Sequence, residues 1–175
     1  MNRRCLPWLA LLAMLPLGTG GILAQTVWQT VADPDGAFII EMPGQPKHWT
    51  DERKSPRGAT LMLHNYAVGY NGQIFAIGTA QGSQELDLSQ PRVNLQQTLT
   101  SMATRLASGR WDEVVWLQYQ GVDAVEAIGV TKENLAYRGF LVLKDRQSYS
   151  LAFSGPADRL RSPDADRFFK SLRLR

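Results

Sequence analysis

The chain predicts an α+β domain, in which an antiparallel sheet has its apolar face or faces covered by helices. Three observations carry this expectation. Short strand-like segments come in neighbouring pairs joined by turn residues. One long segment and one closing segment have helical spacing and stand apart from the strand pairs. Runs of strands segregated from helices are the pattern of an antiparallel sheet with helical cover, not of alternating β-α-β units.

Each element has its own signal. Residues 27–32 and 37–42 read as two strands around Asp33-Pro34-Asp35-Gly36, where Pro presets φ and Gly supplies the positive φ of a reversal. Met42-Pro43-Gly44-Gln45-Pro46 breaks that hairpin, and the polar, charged stretch Lys47 to Gly58 reads as an exposed loop. Residues 60–70 and 73–80 flank Asn71-Gly72, the strongest short-range hairpin signal in the chain. Polarity rises through 81–90, after which Leu95, Leu99, Met102, Ala103 and Leu106 form one stripe of a helix over 93–107, with Pro91 at its start and Gly109 at its stop.

Strand character returns at 113–119 and 123–131, around Gln120-Gly121, and again at 136–143 and 147–154. In the last of these Tyr149, Leu151 and Phe153 alternate with smaller residues, which marks one buried face. Ser162-Pro163-Asp164 supplies an N-cap, a first-turn Pro and a first-turn acid. Ala165, Phe168, Phe169 and Leu172 follow at helical spacing, so the closing helix should dock on the same core as Tyr149, Leu151 and Phe153.

Residues 1–24 read as an export signal: Arg3 and Arg4 precede an uncharged apolar run from Leu6 to Leu17, and Ala24 offers a small residue before Gln25. The expectation is removal of 1–24, leaving one domain over 25–175. An uncleaved anchor is the competing reading, but a spanning helix wants about 20 apolar residues, and this run is shorter and holds Pro7 and Pro16. A lipoprotein would need its Cys after the apolar run, whereas Cys5 lies before it. The twin-arginine reading of Arg3-Arg4 is set aside because Cys5-Leu6-Pro7 follows the pair.

Cleavage removes the single cysteine, so the mature chain has no internal disulfide and no thiol nucleophile. The full chain has 19 basic and 16 acidic residues, a charge of +3; losing Arg3 and Arg4 leaves 17 against 16. That near-balance argues against nucleic acid, which attracts clustered positive charge. The basic tail from Arg167 to Arg175 is the local exception, and on a closing helix such charges answer the helix dipole.

Three stretches resemble the PsbP-like superfamily. They are Gly36-Ala37-Phe38-Ile39-Ile40-Glu41-Met42-Pro43-Gly44-Gln45-Pro46, the hairpin Tyr137-Arg138-Gly139-Phe140-Leu141-Val142 with Gln147-Ser148-Tyr149-Ser150-Leu151, and the closing Phe168-Phe169-Lys170-Ser171-Leu172-Arg173-Leu174. The resemblance covers most of the mature chain and rests on structural motifs. It implies an α/β/α sandwich around a central antiparallel sheet, and a binding or assembly module without catalysis. Because that superfamily shares no single set of functional residues, it implies no site residue here.

Candidate site residues are few. A Ser/His/acid enzyme would have to use His48 or His64, the only histidines, and no Gly-x-Ser-x-Gly elbow accompanies either. His64 reads as mid-strand, and His48 lies beside Trp49 in the charged stretch. Two separated His without Cys make a thin zinc set. Asp33 and Asp35 could touch calcium, but Asp-Pro-Asp-Gly is explained by turn chemistry. The absence of a phosphate loop gives nucleotide binding no support. Trp116 reads as core and Trp111 as an exposed residue at the helix-to-strand junction. Trp49, with its neighbour His48, is the candidate contact point, since an aromatic ring in a polar loop either packs beneath it or binds.

The expectation is therefore an exported, non-catalytic binding or assembly factor of the cell envelope, with no cofactor and no metal. It would act on an unknown envelope protein, with no nucleic acid and no stable membrane insertion after signal cleavage. A small-molecule carrier and a small hydrolase using His64 or His48 are the rivals.

Overall fold

A computed structural model describes residues 27–54, 60–82, 90–106, 110–131, 134–145 and 147–175. The expected export signal, the end of the charged stretch before Thr60, and Gly109 lie outside the described residues. Among the described residues ten strands and two α-helices follow one another. The strands β1 (Trp28–Ala32) and β2 (Phe38–Pro43) form the first hairpin, and β3 (Lys47–Lys54), β4 (Thr60–Tyr70) and β5 (Gln73–Gly82) form a meander. Helix α1 (Pro91–Leu106) precedes β6 (Glu113–Tyr119), β7 (Val122–Val130), β8 (Leu135–Lys144) and β9 (Gln147–Pro156). Helix α2 (Pro163–Ser171) and the two-residue β10 (Arg173–Leu174) close the chain.

Two antiparallel sheets result. The larger has the order β3-β4-β5-β9-β8-β7-β6, and the smaller the order β1-β2-β10. Asn71 and Gly72 take φ of 49° and 72° at the β4–β5 turn, the positive pair that a tight hairpin requires. Gly44 takes φ of 105° where β2 gives way to β3, a conformation open to glycine.

Side-chain alternation assigns the two faces of the large sheet. On one face Phe75 lies opposite Phe153, Ile77 opposite Leu151 and Phe140 opposite Leu151 on the other side. With Phe38, Ile40 and Met42 of β2 and Phe168, Phe169 and Leu172 of the closing segment, these residues form the principal core. On the other face Leu95 and Leu99 of α1 pack on Val125, Ala127, Leu141 and Leu143.

The expected α/β/α sandwich is overturned. Strand accounts for 60% of the structure and helix for 21%, in two helices, so the fold is β-rich. The physical reason is that the cover over the principal core is largely another sheet. Strand β2 supplies Phe38, Ile40 and Met42 to that core, and α2 is only nine residues long. Two stretches also changed class. The expected loop from Lys47 is strand β3 over 47–54, and the helical stripe leaves the helix at Leu172, whose ψ of 134° starts an extended end. Arg173 and Leu174 then pair with Ile39 and Phe38.

The core residues expected of β9 and α2 do meet: Tyr149, Leu151, Phe153, Phe168, Phe169 and Leu172 are all buried in one cluster. Ser162 caps α2, its hydroxyl accepting from the Ala165 amide at 3.2 Å. Trp116 packs against the α1-side cluster, as a core residue should, whereas Trp111 is not the exposed residue expected. Trp111 is half-buried, its indole donating to the Leu99 carbonyl at 3.0 Å, and Trp116 is also half-buried, beneath the Arg92 guanidinium. Among the described residues no helix is long and apolar enough to cross a membrane.

Candidate functional site

The sequence directs attention to His48, Trp49 and His64, and all three lie at the β3 end of the large sheet. Their strand register decides what they can do together. His48 lies opposite Tyr66, Trp49 opposite Asn65, and Thr50 opposite His64. Because successive strand residues point to opposite faces, His48 shares a face with Tyr66 and His64, while Trp49 lies on the other. His48 and Trp49 are therefore not one loop surface: they flank opposite sides of an edge strand.

On the core-cover side the rings stack. The His48 ring lies 4.3 Å from Tyr66 at 10° and 5.9 Å from His64 at 16°. His48 is exposed and His64 half-buried. The Nδ1 of His64 is buried without a hydrogen-bond partner. Tyr66 is buried, meets Phe38 edge-on at 5.6 Å, and donates its hydroxyl to Asp33 Oδ1 at 3.3 Å. Asp33 is itself buried in the β1–β2 turn, and its other carboxylate oxygen accepts from the Asp35 amide at 3.2 Å.

Burial first, and then the negative charge of Asp33 and its hydrogen bond, push the Tyr66 hydroxyl up to about 12. It stays a neutral donor at ordinary pH. Tyr149 is likewise pushed up to about 12, by burial and then by the charges of Asp145 and Asp33. Asp33 thus works as a turn residue tied to the sheet. Among the described residues no group of three or more His, Cys, Asp or Glu is placed to hold a metal.

A general base needs an orienting partner and a reachable proton. Here the two imidazoles meet ring faces, and among the described residues neither is hydrogen-bonded to a carboxylate or hydroxyl. On the opposite side Trp49 is half-buried. Its neighbour Asn65 is buried, reaches Asp51 Oδ2 at 3.5 Å through Nδ2, and keeps Oδ1 without a partner.

Sequence reasoning missed two other polar features. Arg138 of β8, 8% exposed, donates to Glu126 at 2.6 Å and to Asp166 at 2.8 Å, and lies 4.3 Å over the Phe169 ring. That clamp ties α2 to the sheet. Its hydrogen bond holds the Asp166 carboxyl below the usual range, against the opposing effect of burial and with help from Lys170. The signal was present: Arg138 occupies the same strand parity as Phe140 and Val142, where an inward charge demands acidic partners.

The second is a groove of about 360 Å³ between the small sheet and α2, lined by Thr30, Ile39, Glu41, Arg167, Lys170, Ser171 and Arg173. Its cations are already engaged: Arg167 with Glu41 and the Trp28 ring, Lys170 with Asp166, and Arg173 with the carbonyls of Lys170 and Leu172.

Comparison with known proteins adds little. No family model matches the chain, and no curated protein sequence matches it. Solved structures do give matches. One is a crystal structure of a protein from Bacteroides thetaiotaomicron, 12% identical, with a TM-score of 0.45, covering 84% of this chain and 48% of that one. The chain spans about half the length of that protein, and the likeness is too distant to transfer a role.

Proposed function

We propose that this protein is an exported, non-catalytic binding or assembly factor of the cell envelope, acting on a protein partner through the β3 end of its large sheet. The observation that carries the reading is the stacking of the His48 ring on both Tyr66 and His64. The two histidines, the candidate bases, are held by aromatic faces, and among the described residues the hydrolase alternative finds no acid hydrogen-bonded to either. A carrier would need a deep apolar cavity. The space between the large sheet and its cover is instead filled by Phe38, Phe75, Phe153 and Phe168, each fully buried. Export rests on the charged, apolar and small-residue order of residues 1–24.

Recognition then falls to surfaces. Among the described residues β3 is an edge strand paired on one side only, with His48 on one face of it and Trp49 on the other. The test is in-cell cross-linking of the full chain in its native envelope, with mass-spectrometric identification of what is captured. Trp49→Ala should lose the cross-linked partner, while the double variant His48→Ala/His64→Ala should retain it. A turnover abolished by the histidine double variant would replace this reading with the hydrolase.

A further inference from the structure

We infer that strand β6, at the other end of the large sheet, pairs with β6 of a second copy of this chain, joining two large sheets edge to edge. Exposed edge strands are ordinarily guarded by charges, prolines or bulges, because their unpaired N–H and C=O groups template further strands. Strand β6, EVVWLQY, carries a single charge and no proline. Among the described residues it is the terminal strand of its sheet, hydrogen-bonded to β7 alone. Val114 and Val115, neighbours on opposite faces, are 41% and 46% exposed.

The choice of a second copy follows from the strand's self-complementarity. Antiparallel pairing about a twofold axis at Val115 sets Val115 against its own copy, Val114 against Trp116, and Glu113 against Leu117. Cross-strand pairs of β-branched and aromatic residues are the stabilising kind. No like charges face each other in this register. Glu113, the one acid, is already held by Arg161 at 2.9 Å within its own copy, and the Trp116 ring is roofed by Arg92, itself paired with Asp123. A net charge of +3 over 175 residues adds little repulsion between copies. Pairing of one short strand makes a small interface, of the weak class below about 1,200 Å², so the association should be concentration-dependent.

Sedimentation of the full chain, carried to roughly 100 μM so that a micromolar Kd is covered, should show a monomer–dimer equilibrium. Val115→Lys places two like charges across the axis and should weaken the dimer by about tenfold or more, with the far-ultraviolet dichroism of the fold unchanged. An independent measurement covers the case in which that variant misfolds. In a Cys5→Ser background, Val115→Cys should form an intermolecular disulfide under mild oxidation, whereas Val93→Cys, with the same 46% exposure on α1, should not. A chain monomeric at every concentration, a dimer indifferent to Val115→Lys, or equal cross-linking at positions 93 and 115 would each overturn the proposal.

Discussion

The two ends of the large sheet solve the same problem in opposite ways. Strand β3, KHWTDERK, has five charged residues among eight, while β6, EVVWLQY, has one among seven. Among the described residues both are paired on one side only. The inward polar groups differ too. At the β3 end a neutral phenol meets a carboxylate, Tyr66 with Asp33. Toward the β6 end a full cation, Arg138, is held between Glu126 and Asp166. The β3 end is protected from indiscriminate pairing by its charge and uses aromatic rings to hold the small sheet's turn. The β6 half anchors α2 with an ion cluster and leaves its edge apolar. What differs is where charge is spent: along the edge in one half, inside the cover in the other.

The largest effects should come from the anchoring of α2. Phe168, fully buried and in ring contact with Phe75 and Phe169, should cost about 3–5 kcal/mol on replacement by Ala. Arg138→Ala should cost about 3 kcal/mol, at the lower end for breaking a buried ion pair, because Glu126 and Asp166 keep 26% and 37% exposure and water can reach them. Urea denaturation measures both. An Arg138→Ala loss smaller than that of Tyr66→Phe would invert the ranking of the two halves. The Asp166 part of this stabilisation has a definite sign. Its folded pKa is lowered, so the stabilisation is present above the unfolded carboxyl value and fades as pH falls through the folded one.

Much of this architecture is legible in the sequence, for physical reasons that differ by element. Asn71-Gly72 needs nothing but its own backbone freedom to declare a hairpin, and the Ser162 cap is a local bond between neighbours. Strand β3 was illegible because an edge strand held from one side needs no apolar alternation: its only apolar ring is Trp49, so its composition matches a loop. Strand β10 was hidden because Leu172 completes a helical stripe, and only the pairing with Ile39 and Phe38, far away in sequence, shows that the helix has ended. The export signal and the envelope role rest on sequence alone. As for the site, His48 and His64 could be named but not joined, since their stacking depends on the β3–β4 register.

An intermediate effect tests the β3 end. Tyr66→Phe removes the hydroxyl that Asp33 accepts, leaving a buried carboxylate with the Asp35 amide, and should cost about 1–3 kcal/mol near neutral pH. The pH dependence is opposite to that of Asp166. The folded value of Tyr66 is raised to about 12 from 10.0, so the phenol's contribution is complete below pH 10 and is lost as pH rises toward 12. Stability differences between wild type and Tyr66→Phe should therefore shrink across that window. A difference unchanged at pH 12 would mean that the hydroxyl is not titrating from a buried, acid-facing position.

The smallest effect should come from charging the edge that is already charged. Thr50 is exposed on β3, on the side of the strand shared with His48 and His64. Thr50→Lys adds one more cation to a strand that already carries Lys47, Arg53 and Lys54 with Asp51 and Glu52. It buries nothing at an exposed position, so its effect on unfolding should stay within about 0.5 kcal/mol. Self-association should also survive it, because the apolar edge lies six strands away in the sheet order. The same substitution at Val115 introduces like charges where the strand has none. A dimer that Thr50→Lys dissolves and Val115→Lys spares would show that the guarded edge is the one that pairs, and the contrast between the two ends would then have to be read the other way round.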